Sequence, residues 1–93
     1  MEFDWDENKN IENISKHGVS FTIAQEAFFD AKRIITFDRK HSTSSEKRFF
    51  CFGMVNSGIL TVRFTIRHGK IRIFGAGYWR EGKAKYEKKN ELS

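Results

Sequence analysis

The side chains with chemical potential in this sequence are arginine, lysine, histidine and the aromatics that stand among them. Arg63, Arg67, Lys70 and Arg72 fall on alternating positions of the stretch from Gly58 to Arg80, GILTVRFTIRHGKIRIFGAGYWR. His68-Gly69 reads as a two-residue hairpin turn, with Gly69 supplying a positive φ. That turn sets Arg67 opposite Lys70, Thr65 opposite Arg72 and Arg63 opposite Phe74. Leu60, Val62, Phe64, Ile66, Ile71 and Ile73 then share the dry face, because side chains alternate along a strand. Like charges paired across strands repel, so a face carrying four cations suits an anionic partner as well as it suits solvent. Arginine grips a phosphate through two bonds and stabilises charge that grows on it. Histidine exchanges a proton near neutral pH. Tyr78 and Trp79 lie just past the second strand and offer faces on which unpaired bases stack. RNA brings its own nucleophile, the 2′-hydroxyl, so this residue set is sufficient for its cleavage without a cofactor.

Other chemistries find no support. The sequence has no Walker loop, HExxH or nucleophile elbow, and Gly75-Ala76-Gly77 lacks the third glycine of a dinucleotide fingerprint. His17, His41 and His68 are too dispersed to suggest a metal site, and the single Cys51 excludes an internal disulfide. Cys51 sits in the apolar run Phe49–Phe52 and reads as a buried, inert thiol. No segment has the length or apolarity of a membrane helix or a signal peptide, which places the chain in the cytoplasm.

The elements that position these residues follow from local pattern. The 93 residues suffice for one domain, spanning 1–93. Glu2-Phe3-Asp4-Trp5 alternates as a short edge strand would. Asp6 caps a first helix running to His17 and ended by Gly18, with Ile11 and Ile14 on its buried side. Lys9, Asn13, Lys16 and His17 share another face of it. Ser20 caps a second helix, Phe21 to about Asp30. Strands are expected over Lys32–Asp38 and Glu46–Val55, the latter with Phe50, Phe52 and Met54 toward the core. Asn56-Ser57-Gly58 closes a hairpin with Gly58 in the left-handed region, Gly75 and Gly77 break the last strand, and a basic helix starts near Glu81. This order implies an α+β domain: a twisted, mainly antiparallel sheet of four to five strands, two N-terminal helices packed on one face, and a C-terminal helix.

Charge is unevenly spread. Residues 1–31 hold seven acids and two bases, residues 32–62 six bases and two acids, and residues 63–93 nine bases and three acids. A basic remainder behind an acidic opening favours a polyanion partner.

The sequence also resembles a known family. Phe3-Asp4-Trp5-Asp6-Glu7-Asn8-Lys9, Asn13 and Lys16-His17-Gly18-Val19-Ser20-Phe21-x-x-Ala24 are similar to the opening of the BrnT toxins. Asp38-x-x-His41-Ser42, Glu46-x-Arg48-Phe49, Gly53, Arg72-Ile73 and Tyr86-Glu87 continue the likeness. The resemblance implies a RelE-like fold and a metal-independent ribonuclease toxin of a type II toxin–antitoxin module. It further implies neutralisation, in a hetero-oligomer, by a BrnA-type antitoxin with a DNA-binding ribbon-helix-helix. The chain departs from the commoner pattern after Ile73: Gly75-Ala76-Gly77 stands where many relatives carry Ser-Ala-Arg, which makes Arg80 the candidate replacement for the absent arginine.

The expected site lies where the arginine face meets the 39–46 loop and the first helix. Arg48 and Arg63 hold the scissile phosphate, His41 or His17 accepts the 2′-hydroxyl proton, Glu46 assists, and Arg80 stabilises the phosphorane. Lys9, Lys16, Arg67, Arg72, Tyr78 and Trp79 bind RNA. The plainer expectation is that His17 merely closes its helix and Arg48 pairs with Glu46 or Asp38. In that case the chain is a non-catalytic module that binds nucleic acid or an antitoxin.

Overall fold

The computed structural model describes residues 1–91. Five strands form one mixed sheet: β1 (Phe3–Trp5), β2 (Ile34–Phe37), β3 (Arg48–Val55), β4 (Gly58–Arg67) and β5 (Lys70–Gly77), in the order β1-β5-β4-β3-β2. Strands β2 to β5 are antiparallel neighbours, and β1 joins the β5 edge in parallel. The helices are α1 (Glu7–His17), α2 (Phe21–Ala24), which tightens into a 3₁₀ segment over Gln25–Phe29, and α3 (Arg80–Lys89).

Local signals act as read. Asp6 accepts hydrogen bonds from the amides of Asn8 and Lys9, Ser20 accepts from that of Ile23, and Gly18 ends α1 at φ 69°. His68 and Gly69 both take positive φ, as a twisted two-residue hairpin requires, and Arg67 faces Lys70 while Thr65 faces Arg72. Arg63, however, pairs with Gly75, not Phe74. A bulge leaves Phe74 without a partner on β4, and β5 continues through Gly77 instead of breaking at its glycines. At the other hairpin the positive φ values belong to Asn56 and Ser57, not to Gly58.

The two faces of the sheet are covered by different helices. The main core lies under α2 and its 3₁₀ extension, where Phe21, Ala24, Ala27 and Phe28 meet Cys51, Val55, Leu60, Val62, Phe64 and Ile73. Desolvation in this core pushes the Cys51 thiol up to about 12, so it stays protonated. Helix α3 covers part of the opposite face, with Tyr86 against Phe52 and Ile59. The expected orientation of β3 is therefore reversed: Cys51 and Val55 face the main core, Phe52 is buried beneath α3, and Met54 is exposed. Ile66, near the hairpin tip, is exposed as well.

Helix α1 does not share a sheet face with α2. It lies along the edge of β5 beyond the end of β1, and Ile11 and Ile14 are exposed. Its buried residue is Asn13. The Ala76 amide donates to Asn13 Oδ1 (3.2 Å), while Asn13 Nδ2 donates to the carbonyls of Ala76 (2.9 Å) and Val19 (2.8 Å). The carboxamide thus bonds the exposed edge of β5 as a neighbouring strand would.

Asp30 ties α3 to the sheet. Its carboxylate accepts from Tyr86 Oη (2.7 Å) and from the amides of Met54 (2.7 Å) and Lys32 (2.9 Å). Desolvation raises the Asp30 pKa, but the bonds from Tyr86, Met54 and Lys32 outweigh it and hold the group below its ordinary 3.8. Desolvation, with help from the same contact, pushes Tyr86 up to about 12.

Two outcomes follow. Asn13→Ala orphans buried backbone groups at the β5 edge and should cost about 2 kcal/mol or more in urea unfolding. A carboxylate with a depressed folded pKa stabilises the fold above its unfolded pKa and loses that contribution as pH falls through the folded value. Stability should therefore drop as pH falls below about 4, and Asp30→Asn should flatten that acid limb.

Candidate nucleic-acid interface

The sheet face that α3 leaves open carries the arginines. Arg48 on β3 stands opposite Thr65, and Phe50 stands opposite Arg63. The guanidinium carbons of Arg48 and Arg63 lie 4.4 and 5.1 Å from the centroid of the Phe74 ring, within cation–π range. Phe74 is the bulged residue, so one extra residue in β5 brings an aromatic platform beneath two cations.

Four cations on this face are not equally free. Glu46 accepts from Arg48 Nε (3.1 Å) and from Arg67 (2.9 Å), and Asp4 accepts from Arg72 (2.6 Å). The hydrogen bond from Arg48, against a smaller opposing desolvation and with help from Arg67, keeps the Glu46 carboxyl below its ordinary range. Glu46 is thus an anion that sets two arginines, and it is poorly suited to carry a proton. These pairs are part-exposed, and such pairs add little to stability, so their effect is to orient the arginines. Among the described residues Arg63 makes no carboxylate contact. It lies half-buried across Gly75, its guanidinium available for an anion.

Helix α1 forms one wall of the groove at this point. Lys9, Glu12, Lys16 and His17 line a cavity together with Arg63, Phe74 and Trp79, and Lys16 is paired with Glu12 (3.3 Å). A second hollow beside it is lined by Asp6, Lys9, Glu46, Arg48, Arg67, Arg72 and Phe74. The His17 ring meets Trp79 edge to face at 5.1 Å. Trp79 folds back over Gly77, where a Cβ would come within 2.5 Å of the indole, so glycine is required beneath it.

The 38–48 loop reaches the same face from the β2 side. The Asp38 amide bonds the Arg48 carbonyl (2.8 Å), extending the β2–β3 ladder so that Asp38 stands opposite Arg48. Buried Asp38 contacts His41 Nδ1 through Oδ2 (2.9 Å) and accepts from the His41 amide through Oδ1 (3.2 Å). Ser42 Oγ donates to the Asp38 carbonyl (2.6 Å) and accepts from the Arg48 amide (2.8 Å). The Asp38-x-x-His41-Ser42 pattern is therefore a clamp that fixes both the Arg48 backbone and the His41 ring. A buried carboxylate on Nδ1 orients the ring and directs Nε2 away from it.

The structure therefore brings Lys9, Lys16, His17, Glu46, Arg48, Arg63, Arg67, Arg72 and Trp79 to two hollows that share Lys9 and Phe74, while His41 stands in the loop and is tied to the start of β3 only through Asp38 and Ser42. Arg80 and Tyr78 stand apart. Arg80 lines a different hollow with Met54, Ser57, Tyr78, Trp79 and Lys83. It does not enter the volume over Gly77, which the indole fills. Tyr78 donates to the Val55 carbonyl (3.0 Å) and packs on Gly58, which locks the β3–β4 turn. Sequence reasoning missed two residues. Phe74 owes its place to the bulge, which has no local signature. Asp38 was visible three residues before His41, an offset at which an aspartate side chain bonds back into its own loop.

No curated protein matches the sequence. A family model described as the ribonuclease toxin BrnT of type II toxin–antitoxin systems matches residues 5–82. That span contains every groove residue named above except Asp4, and the chain belongs to the BrnT family of ribonuclease toxins.

Proposed function

We propose that the groove between α1 and the 38–48 loop binds single-stranded RNA and cleaves it by attack of its own 2′-hydroxyl, with no metal required. The observation that supports this reading best is Arg63. It is a half-buried guanidinium with no carboxylate contact among the described residues, set beside Arg48 on one aromatic ring and facing Lys9, Glu12, Lys16 and His17 of α1. Arg63 and Arg48 hold the scissile phosphate and stabilise the charge that gathers on it. His41, oriented by Asp38, accepts the 2′-hydroxyl proton. The 2′-oxygen forms its bond to phosphorus, the P–O5′ bond breaks, and the 5′-oxygen leaves with a proton from water. Glu46 keeps Arg48 and Arg67 in place. Lys9, Lys16 and His17 hold neighbouring phosphates, and Trp79 stacks a base. Arg80, outside the groove, is left without a role in the transition state.

A type II module pairs such a toxin with an antitoxin, and the partner we propose is a BrnA-type ribbon-helix-helix protein that forms a hetero-oligomer with this chain in the cytoplasm. One observation favours the alternative of a module that binds without cutting: Glu46 and Asp4 already neutralise three of the arginines on this face.

Expression without antitoxin should arrest growth, and the purified protein should cut single-stranded RNA in EDTA. Arg63→Ala and Arg48→Ala should each lower cleavage about 10²–10³-fold, and His41→Ala about 10²–10⁴-fold, with folding verified by circular dichroism. A fully active His41→Ala beside an inactive His17→Ala moves the proton acceptor to the α1 wall. Activity that returns only with added metal, or binding with no cleavage, refutes the catalytic reading.

A further inference from the structure

Beside the arginine groove, under α3, lies a second concavity that the phosphate chemistry does not use. It has a volume of about 180 Å³, several times the ~30 Å³ share of a water molecule. Phe50, Phe52 and Trp79 line it, together with Thr61, Glu81 and Lys85. Phe50 and Phe52 stack with centroids 5.8 Å apart and planes within 18°. The Lys85 ammonium reaches over the Phe52 ring and bonds Glu81 (3.2 Å), so a donor and an acceptor meet at the rim. An aromatic cleft with a few polar groups at its mouth is a shape that takes a flat heterocycle.

Its place in the sheet says which heterocycle. Phe50 stands directly across from Arg63, and Thr61 precedes Arg63 by two residues on the same face. Residues two apart on a strand are separated by roughly 7 Å, a separation of the order of one nucleotide step. Trp79 lines both this cavity and the hollow that holds Arg63 and His17, so the two adjoin across the indole. We infer that the Phe50–Phe52–Trp79 cavity is a nucleobase subsite, which receives the base of the nucleotide next to the phosphate held by Arg63. The base lies among the aromatic rings, and its polar edge meets the Glu81–Lys85 pair. This inference rests on the RNA-cleaving reading and adds to it a place where one base is recognised.

The test uses 2′-O-methyl dinucleotides, which cannot be cleaved, and the same backbones with either base removed. For the intact protein, loss of one particular base should weaken binding about 5- to 100-fold, the range for one stacked base. Loss of the other base should matter less. Phe50→Ala should abolish that difference. In the wild-type protein, whose folding is not in question, the ring resonances of Phe50, Phe52 and Trp79 should shift on titration. If intact and abasic ligands bind alike while Arg63→Ala weakens both, the groove binds RNA and the base subsite does not exist. If Arg63→Ala leaves binding unchanged, the RNA reading itself falls, and the subsite with it.

Discussion

The carboxamide of Asn13 fixes the geometry on which the rest of the molecule depends. Strand β1 covers β5 only as far as Ile73, so the edge from Phe74 to Gly77 has no strand beside it. A buried backbone edge must find partners, and Asn13 supplies both a donor and an acceptor to Ala76 while a further bond holds Val19. This docks α1 on the edge, not on the main core. It turns Lys9, Lys16 and His17 toward Arg63. The same bonds hold Val19 at the entrance to α2, so one side chain coordinates the helix that builds the groove with the helix that builds the core. The two glycines of β5 complete the arrangement by letting Arg63 and Trp79 lie close against the strand.

The groove obeys a second constraint, the management of like charge. Arginines crowded on a sheet face repel unless acids or ligands intervene. Here Glu46 joins Arg48 to Arg67, and Asp4 holds Arg72. The acids pair three of these arginines and, among the described residues, leave Arg63 without a carboxylate, which is the arrangement the proposed chemistry would draw on. Pre-organised charge acts on a transition state without a reorganisation cost. The Asp38–His41–Ser42 clamp works in the same way, because it fixes the Arg48 backbone and the His41 ring with one short loop.

The sequence displays local features well and long-range ones poorly. Caps at Asp6, Ser20 and Gly18, the His68-Gly69 turn and the alternation of β4 all depend on neighbours in the chain, and all were legible. Ile11 and Ile14 misled because α1 is docked through a polar residue, which leaves its apolar stripe exposed. Strand β3 misled because α2 and α3 bury opposite faces of it, which removes the alternation that separates inside from outside. Ile66 lies at a hairpin tip beyond the reach of the covering helices. Within the site, Arg48, Arg63 and His41 followed from residue chemistry and family pattern. The partnership of Arg72 with Asp4, 68 residues away, did not. Nor did the bulge that presents Phe74, or the packing of Trp79 over Gly77.

The account stands on the claim that the substrate's own 2′-hydroxyl attacks the phosphate held by Arg48 and Arg63. The ends of the cleaved RNA test this most directly. A purified reaction in EDTA, resolved by mass spectrometry, should yield a 5′-hydroxyl on one fragment and a 2′,3′-cyclic phosphate on the other. An oligonucleotide with deoxyribose at the scissile position should remain whole. Fragments that carry a 5′-phosphate and a 3′-hydroxyl, or cutting of the deoxyribose-substituted strand, would show that water or another nucleophile attacks, and would contradict the account.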